Sequence, residues 1–110
     1  MAQGAQLSVT ELRRSARHPV HIRLVAEHRR LGEFPIEIAN ISAHGFMADN
    51  PIDLGRGERI IIRLPFAGRI EAHLIWNTGD RAGFQFERII RLDDFSAMMD
   101  AIQPNPRLRR

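Results

Sequence analysis

The fold is decided by residues 59–76, which read RIIIRLPFAGRIEAHLIW. The first six of these residues are mainly β-branched and apolar, as is typical of a strand. The segment 65–68 is long enough only for a hairpin connection. From residue 69 onward, apolar and polar side chains alternate with the two-residue period of a strand. The apolar side of this alternation carries Ile70, Ala72, Leu74 and Trp76. The stretch therefore predicts two antiparallel strands joined by a tight turn.

On either side of this stretch, four more segments have the composition of short strands. They lie at 20–25, 35–42, 46–48 and 83–89. Polar and glycine-containing turns separate the strands, at 28–33, 51–57 and 77–80. In the second strand, Ile36, Ile38 and Asn40 are expected to share one face. Six short strands at this spacing predict a mostly β fold, a six-stranded antiparallel barrel over about 19–90.

The pattern changes after residue 90, where apolar residues recur at helical spacing. These residues are Leu92, Phe95, Met98, Met99 and Ile102. Asp93 and Asp94 are placed to cap the helix and to favour its first turn. Pro104 cannot continue a helix. We therefore expect a C-terminal helix over about 92–103 that covers the mouth or the side of the barrel.

Composition excludes several classes of protein and of site. The 110 residues include no cysteine, which excludes disulfides, cysteine-ligated zinc and thiol nucleophiles. All 16 basic residues are arginine, but the net charge of +3 is too small to support bulk binding of long nucleic acid. No segment approaches the roughly 20 apolar residues that span a bilayer, so no membrane insertion is expected. The N-terminus lacks a signal peptide, which indicates a cytoplasmic protein.

Two short motifs stand out against this background. Residues 13–17, Arg-Arg-Ser-Ala-Arg, have an RxxxR spacing directly before the first strand. Residues 40–45, Asn-Ile-Ser-Ala-His-Gly, have an NxSxxG spacing at the turn between the second and third strands. In this order and with this strand pattern, the chain resembles the PilZ domain family. The resemblance continues in AHLIW at 72–76 and AGFQF at 82–86.

The resemblance covers about 12–103 as one PilZ domain, between a flexible tail at 1–11 and a disordered tail at 104–110. It implies a PilZ-type β-barrel in a bacterial cytoplasmic protein. Such a domain binds the second messenger cyclic di-GMP, does no chemistry on it and signals to a protein partner. An Asn in the first position of the second motif keeps a hydrogen bond but lacks the charge of the Asp that many members carry. Somewhat weaker binding is therefore expected.

The resemblance also implies which residues contact the ligand. Cyclic di-GMP presents two phosphates and two guanines, and a guanidinium pairs bidentately with phosphate or guanine and stacks on bases. The Asn amide both donates and accepts hydrogen bonds, and Gly allows close backbone approach. The implied contacts are Arg13 and Arg17 with Arg14 assisting, then Asn40, Ser42 and Gly45, with Trp76 as a lesser candidate for stacking.

Two other functions are kept as alternatives. The first is a PilZ-like adaptor that works only through protein–protein contact. The second is a small β-barrel that binds RNA or single-stranded DNA, which the near-balanced charge and the lack of an aromatic row disfavour. The five histidines have no ligand-like spacing, so no metal site is expected. Ser42, His44 and Asp49 have no relay geometry, so no catalytic residues and no enzyme are expected.

Overall fold

The structure, a computed structural model, describes residues 15–102. The strands are β1 (His18–His28), β2 (Gly32–Ile41), β3 (Gly45–Ala48), β4 (Arg59–Leu64), β5 (Gly68–Asn77) and β6 (Ala82–Phe86), and the helix α1 spans Leu92–Ala101. Each strand lies on one of the six predicted segments, and β4 has the predicted bounds. The turn-forming residues in the sequence therefore predicted where the strands of the barrel are connected.

The strands form a closed barrel in the order β1-β2-β3-β6-β5-β4, and all neighbours are antiparallel. Tight turns join β1 to β2, β4 to β5 and β5 to β6. The longer connection at 49–58 leads from β3 to β4 and lets β3 pair with β6. The seam between β1 and β4 closes the barrel, with Glu27 opposite Ile61. The predicted six-stranded antiparallel barrel is thus confirmed.

The barrel interior is filled by the inward side chains of all six strands. Three aromatic rings lie at its centre, with the Phe46 and Phe84 ring centroids 5.0 Å apart and those of Phe46 and Phe86 5.6 Å apart. The largest fully buried aliphatic side chains are Ile36, Ile38, Ile41, Ile60, Ile62, Leu74, Ile90 and Met98. Each such side chain stabilises the fold by about 1.5–3 kcal/mol relative to an exposed one.

Helix α1 packs on the barrel through Phe95 and Met98, which are both buried. The helix ends at Ala101, because Ile102 already has extended backbone, so the predicted end at 103 is too late. The expected capping by Asp93 and Asp94 is also wrong. The N-cap residue is Arg91, which makes no side-chain cap, and the two carboxylates lie inside the first turn, where they interact with the helix dipole. Within residues 15–102, no helix is both long and apolar enough to cross a membrane.

Three shifts of register interrupt the strand pairing. They lie between Pro19 and Ile22 in β1, between Ile38 and Asn40 in β2, and between Leu74 and Trp76 in β5. Such bulges break the two-residue alternation and re-aim the side chains that follow. The face predicted for Asn40 and Trp76 is therefore wrong, because Ile38 and Leu74 are buried while Asn40 is half-buried and Trp76 is 40% exposed.

Candidate ligand-binding groove

A groove of about 310 Å³ lies on the outer surface of the barrel beside the register shift in β5. Its lining consists of Arg17, His44, Gly45, Ile75, Trp76, Gly83, Phe84 and Gln85. The residues come from the segment before β1, from the β2–β3 turn and from β3, β5 and β6. One row of paired residues crosses this surface, running from Asn40 through Met47 and Gly83 to Trp76.

One side of the groove is formed by Arg17, which is held by Asn40. The Arg17 Nη1 donates to Asn40 Oδ1 at 3.1 Å, and the Asn40 Nδ2 donates to the Met47 sulfur at 3.7 Å. Both ends of the Asn40 amide are thus engaged. The contact spans 23 residues of sequence and fixes where the guanidinium lies. The partner is a neutral amide, and no carboxylate among residues 15–102 forms an ion pair with Arg17.

The opposite side is formed by the Trp76 indole, which lies over Gly83. A Cβ atom placed on Gly83 would collide with the Nε1 edge of the indole. The inward neighbours of Gly83, Ala82 and Phe84, are buried, so a Gly83 side chain would point outward. Because Gly83 has no side chain, it leaves a space for the indole, which we call the indole seat. The residue stays 40% exposed to solvent.

The NxSxxG turn is built from its own hydrogen bonds. The backbone N–H of Ser42 donates to the Gly45 carbonyl at 2.9 Å, and the backbone N–H of His44 donates to Ser42 Oγ at 3.1 Å. Ser42 is 2% exposed and does not line the groove. At Gly45 a Cβ atom would collide with the backbone carbonyl of Phe84. Ser42 is thus required by the hydrogen bonds of the turn, and Gly45 is required by the close packing of β3 against β6.

The strand end that carries Trp76 is tied to the connection at 49–58. The Asn77 Nδ2 donates to the carbonyls of Ile52 and Leu54, at 2.8 and 3.1 Å, and Asn77 Oδ1 accepts from the Gly79 N–H at 2.8 Å. One amide therefore joins the connection to the β5–β6 turn. This arrangement holds the strand end from which the Trp76 side chain projects.

The far end of the same connection is held by Glu58. The carboxylate accepts from the backbone N–H of Gly55 at 2.7 Å and contacts His28 Nε2 at 2.8 Å. The Gly55 hydrogen bond, opposed in part by burial and aided by His28 and Arg30, lowers the pKa of Glu58. His28 Nδ1 accepts from the backbone N–H groups of Arg30 and Leu31, so Nε2 carries the hydrogen that points at Glu58.

Comparison with protein families identifies this barrel. A family model described as PilZ domain matches residues 11–99. The chain belongs to the PilZ family. None of the curated proteins matches its sequence. PilZ domains are cyclic di-GMP-binding or adaptor domains rather than enzymes, and the closed barrel with one C-terminal helix is the fold expected of them.

The PilZ domain brings together some of the residues predicted to contact the ligand. Arg17, Gly45 and Trp76 line one groove, and Asn40 holds Arg17 beside it. Ser42 lies beneath the turn instead. Arg13 and Arg14 lie outside the described residues. The contact of these residues with a ligand stays a prediction.

Sequence reasoning missed five groove residues of the PilZ domain, His44, Ile75, Gly83, Phe84 and Gln85. His44 and Gln85 are exposed and carry ring nitrogens and an amide toward the groove. Gln85 lies opposite Gly45, which leaves room beside it. One signal was available for Gly83, because a glycine inside a strand indicates that another group approaches closely. No sequence signal distinguishes His44 or Gln85 from ordinary exposed residues.

Proposed function

We propose that this PilZ domain is a receptor for cyclic di-GMP, which occupies the groove between Arg17 and Trp76. The observation that supports this most directly is the arrangement of these two side chains on opposite sides of one groove. A guanidinium suits a phosphate or a guanine edge, and an exposed indole suits the face of a base. A cytoplasmic location and signalling to a protein partner follow from this proposal.

Asn40 orients Arg17 before the ligand arrives. A guanidinium held in one place loses less conformational freedom on binding than a free side chain does. Arg has five N–H donors, and only one of them is engaged by Asn40. The remaining donors are available for two phosphate oxygens or for a guanine edge. This favours Asn40 as a residue that positions Arg17 as well as one that contacts a base.

The size of the groove limits how much of the ligand it encloses. A volume of about 310 Å³ is at the lower end for ligand pockets, which start near 300 Å³. We infer that the groove holds one base with its phosphate, while the rest of the cyclic dinucleotide lies outside it. Under this proposal Arg13 and Arg14 contact that outer part. Ser42 then acts through the shape of the turn.

Calorimetric titration with cyclic di-GMP tests the proposal, with Arg17→Ala compared with Arg23→Ala. Arg23 is an exposed β1 arginine paired with Glu37 at 3.4 Å, so it is a matched control of equal charge. Hydrogen bonds to charged groups contribute about 1.5–3 kcal/mol, so loss of Arg17 should weaken binding roughly 10- to 100-fold. Arg23→Ala should bind like the wild type. Absence of heat with the wild type, or equal losses in both variants, contradicts the proposal.

An adaptor that does not depend on the nucleotide is the second candidate. The observation that favours it is that Asn40 and Ser42 are already satisfied by contacts within the chain. The two candidates differ in an Arg13/Arg17 double alanine variant. A receptor loses both cyclic di-GMP binding and its ligand-dependent effect on a partner, whereas an adaptor keeps its partner.

A further inference from the structure

The β4–β5 hairpin tip, residues 65–68, carries a combination of features that the groove does not explain. Phe66 has a φ of 67°, in the left-handed region that bulky residues rarely adopt, and the residue is 60% exposed. The Ala67 N–H donates to the Pro65 carbonyl at 2.7 Å, which closes a three-residue turn around Phe66. A strained backbone thus holds an aromatic ring out into solvent.

Three arginines lie close to this hairpin tip. Arg63 and Arg69 lie directly opposite each other across β4 and β5, and both are exposed. Like charges in this position destabilise a strand pair. Neither has an acidic partner among residues 15–102. Arg88 Nη2 donates to the Ala67 carbonyl at 3.4 Å, which brings a third guanidinium to the same tip.

Several other exposed arginines of the barrel have acidic partners. Arg23, Arg59 and Arg81 each lie within 4 Å of a carboxylate. Between Arg59 and Glu71 the sequence contains no acidic residue at all. Backbone strain, opposed like charges and an exposed aromatic ring each lower stability, and they coincide at one hairpin. Such a coincidence points to a binding function.

We propose that the hairpin tip docks on an anionic lipid surface, with Phe66 entering the bilayer interface and the three arginines contacting lipid phosphates. The tip is convex, so it fits a flat surface better than it encloses a ligand. Arg63 and Arg69 are three residues from Phe66, which corresponds to roughly 10 Å along a strand. Interfacial segments bury their apolar face about 5–10 Å deep, so a buried ring leaves these guanidiniums at phosphate level.

This docking is peripheral and needs no membrane-spanning segment. It does not depend on the groove or on cyclic di-GMP, because no groove residue takes part. An acidic protein surface could also meet three arginines. The single apolar side chain at the apex of a convex turn favours the lipid, since a ring enters a bilayer interface without needing a matching pocket in the partner.

Co-sedimentation with vesicles containing phosphatidylglycerol, against vesicles of phosphatidylcholine alone, tests this proposal on the full chain. We expect binding only to the anionic vesicles, and binding that falls steeply with added salt. Phe66→Asn should weaken the partition on the order of tenfold, because the apolar ring is lost. The fold is kept, because Asn tolerates positive φ. Each of Arg63→Gln and Arg69→Gln should weaken it roughly fivefold.

Two matched variants separate the tip from the general surface. Val25→Asn removes an apolar side chain that is 59% exposed on β1, and Arg56→Gln removes an arginine of the 49–58 connection. Both should bind vesicles like the wild type. The proposal is overturned if the wild type binds neither kind of vesicle, or if the matched variants lose as much binding as the tip variants. It is also overturned if the tip binds an acidic protein but binds neither kind of vesicle.

Discussion

The groove and the hairpin tip both combine arginine with an exposed aromatic residue. In the groove these residues are held by favourable contacts, whereas at the tip their arrangement lowers the stability of the fold. In the groove, Arg17 is held by a neutral amide and Trp76 lies in a seat left by Gly83. At the tip, Phe66 has strained backbone and Arg63 faces Arg69. A prearranged site can coexist with stability, whereas a strained tip persists because the rest of the barrel holds it.

The comparison predicts opposite signs for mutations in the two regions. Changes in the groove should lower stability, ligand affinity or both, because its glycines and amides are fitted to their neighbours. Changes at the tip should raise stability, because they remove local strain and repulsion.

The largest effect is expected for Gly45→Ala. The added methyl group meets the Phe84 backbone carbonyl, which cannot move without disturbing the β3–β6 pairing. We expect a loss of about 2–3 kcal/mol in the free energy of unfolding, measured by urea denaturation. Gly32→Ala is the control, since its φ is 70° but nothing lies within 4 Å of the new methyl group. It should lose only about 1 kcal/mol. Equal losses in both would mean that a small shift of the strands relieves the collision at Gly45.

The next effect separates affinity from stability. Gly83→Ala displaces the Trp76 ring, a side chain that can swing toward solvent, so the fold should lose less than about 1 kcal/mol. Affinity for cyclic di-GMP should fall on the order of tenfold, as far as in Trp76→Ala, because base stacking contributes about 1–3 kcal/mol.

Fluorescence gives an independent readout for this pair of variants. Trp76 is the only tryptophan in the sequence, so its emission reports the displacement directly. We expect a red shift in Gly83→Ala without ligand. Unchanged emission together with unchanged affinity would show that the seat does not position the ring.

A smaller effect of opposite sign is expected at the tip. Phe66→Asn should stabilise the domain by about 0.5–1 kcal/mol, because Asn adopts the left-handed region more readily than Phe. Thermal unfolding measures the gain, and Val25→Asn, equally exposed but in regular strand, should not share it. A destabilised Phe66→Asn would mean that the exposed ring contributes packing to the tip.

The smallest effect concerns pH and the connection that supports the groove. The folded pKa of Glu58 lies below its ordinary value of 4.5. The charged carboxylate therefore contributes its full share to the free energy of unfolding above pH 4.5, and this contribution is lost as the pH falls through the folded pKa. Glu58→Gln should therefore lower stability slightly at pH 7, where the wild-type contribution is complete, and flatten the fall in stability below pH 4.5. Unfolding midpoints across this range test it, and identical acid profiles for both proteins contradict it.

Much of the fold followed from local sequence. The alternation at 69–74, the β-branched run at 59–64 and the turn residues between strands predicted six antiparallel strands, because side-chain period and turn chemistry are local properties. The helix was predicted from its 3.6-residue spacing, but its N-cap was not, because the N-cap residue Arg91 makes no side-chain capping hydrogen bond. Of the residues predicted to contact a ligand, Arg17, Gly45 and Trp76 line the candidate groove.

The sequence by itself determined that this chain is a PilZ barrel with an arginine motif before its first strand and a glycine turn after its second. Only the tertiary structure decided which way Asn40 and Trp76 point. A strict two-residue period turns both side chains inward, but closing the barrel introduces register shifts at Ile38/Asn40 and Leu74/Trp76 that turn them out. Register depends on strands that are distant in sequence, and for that reason local pattern could not show the groove.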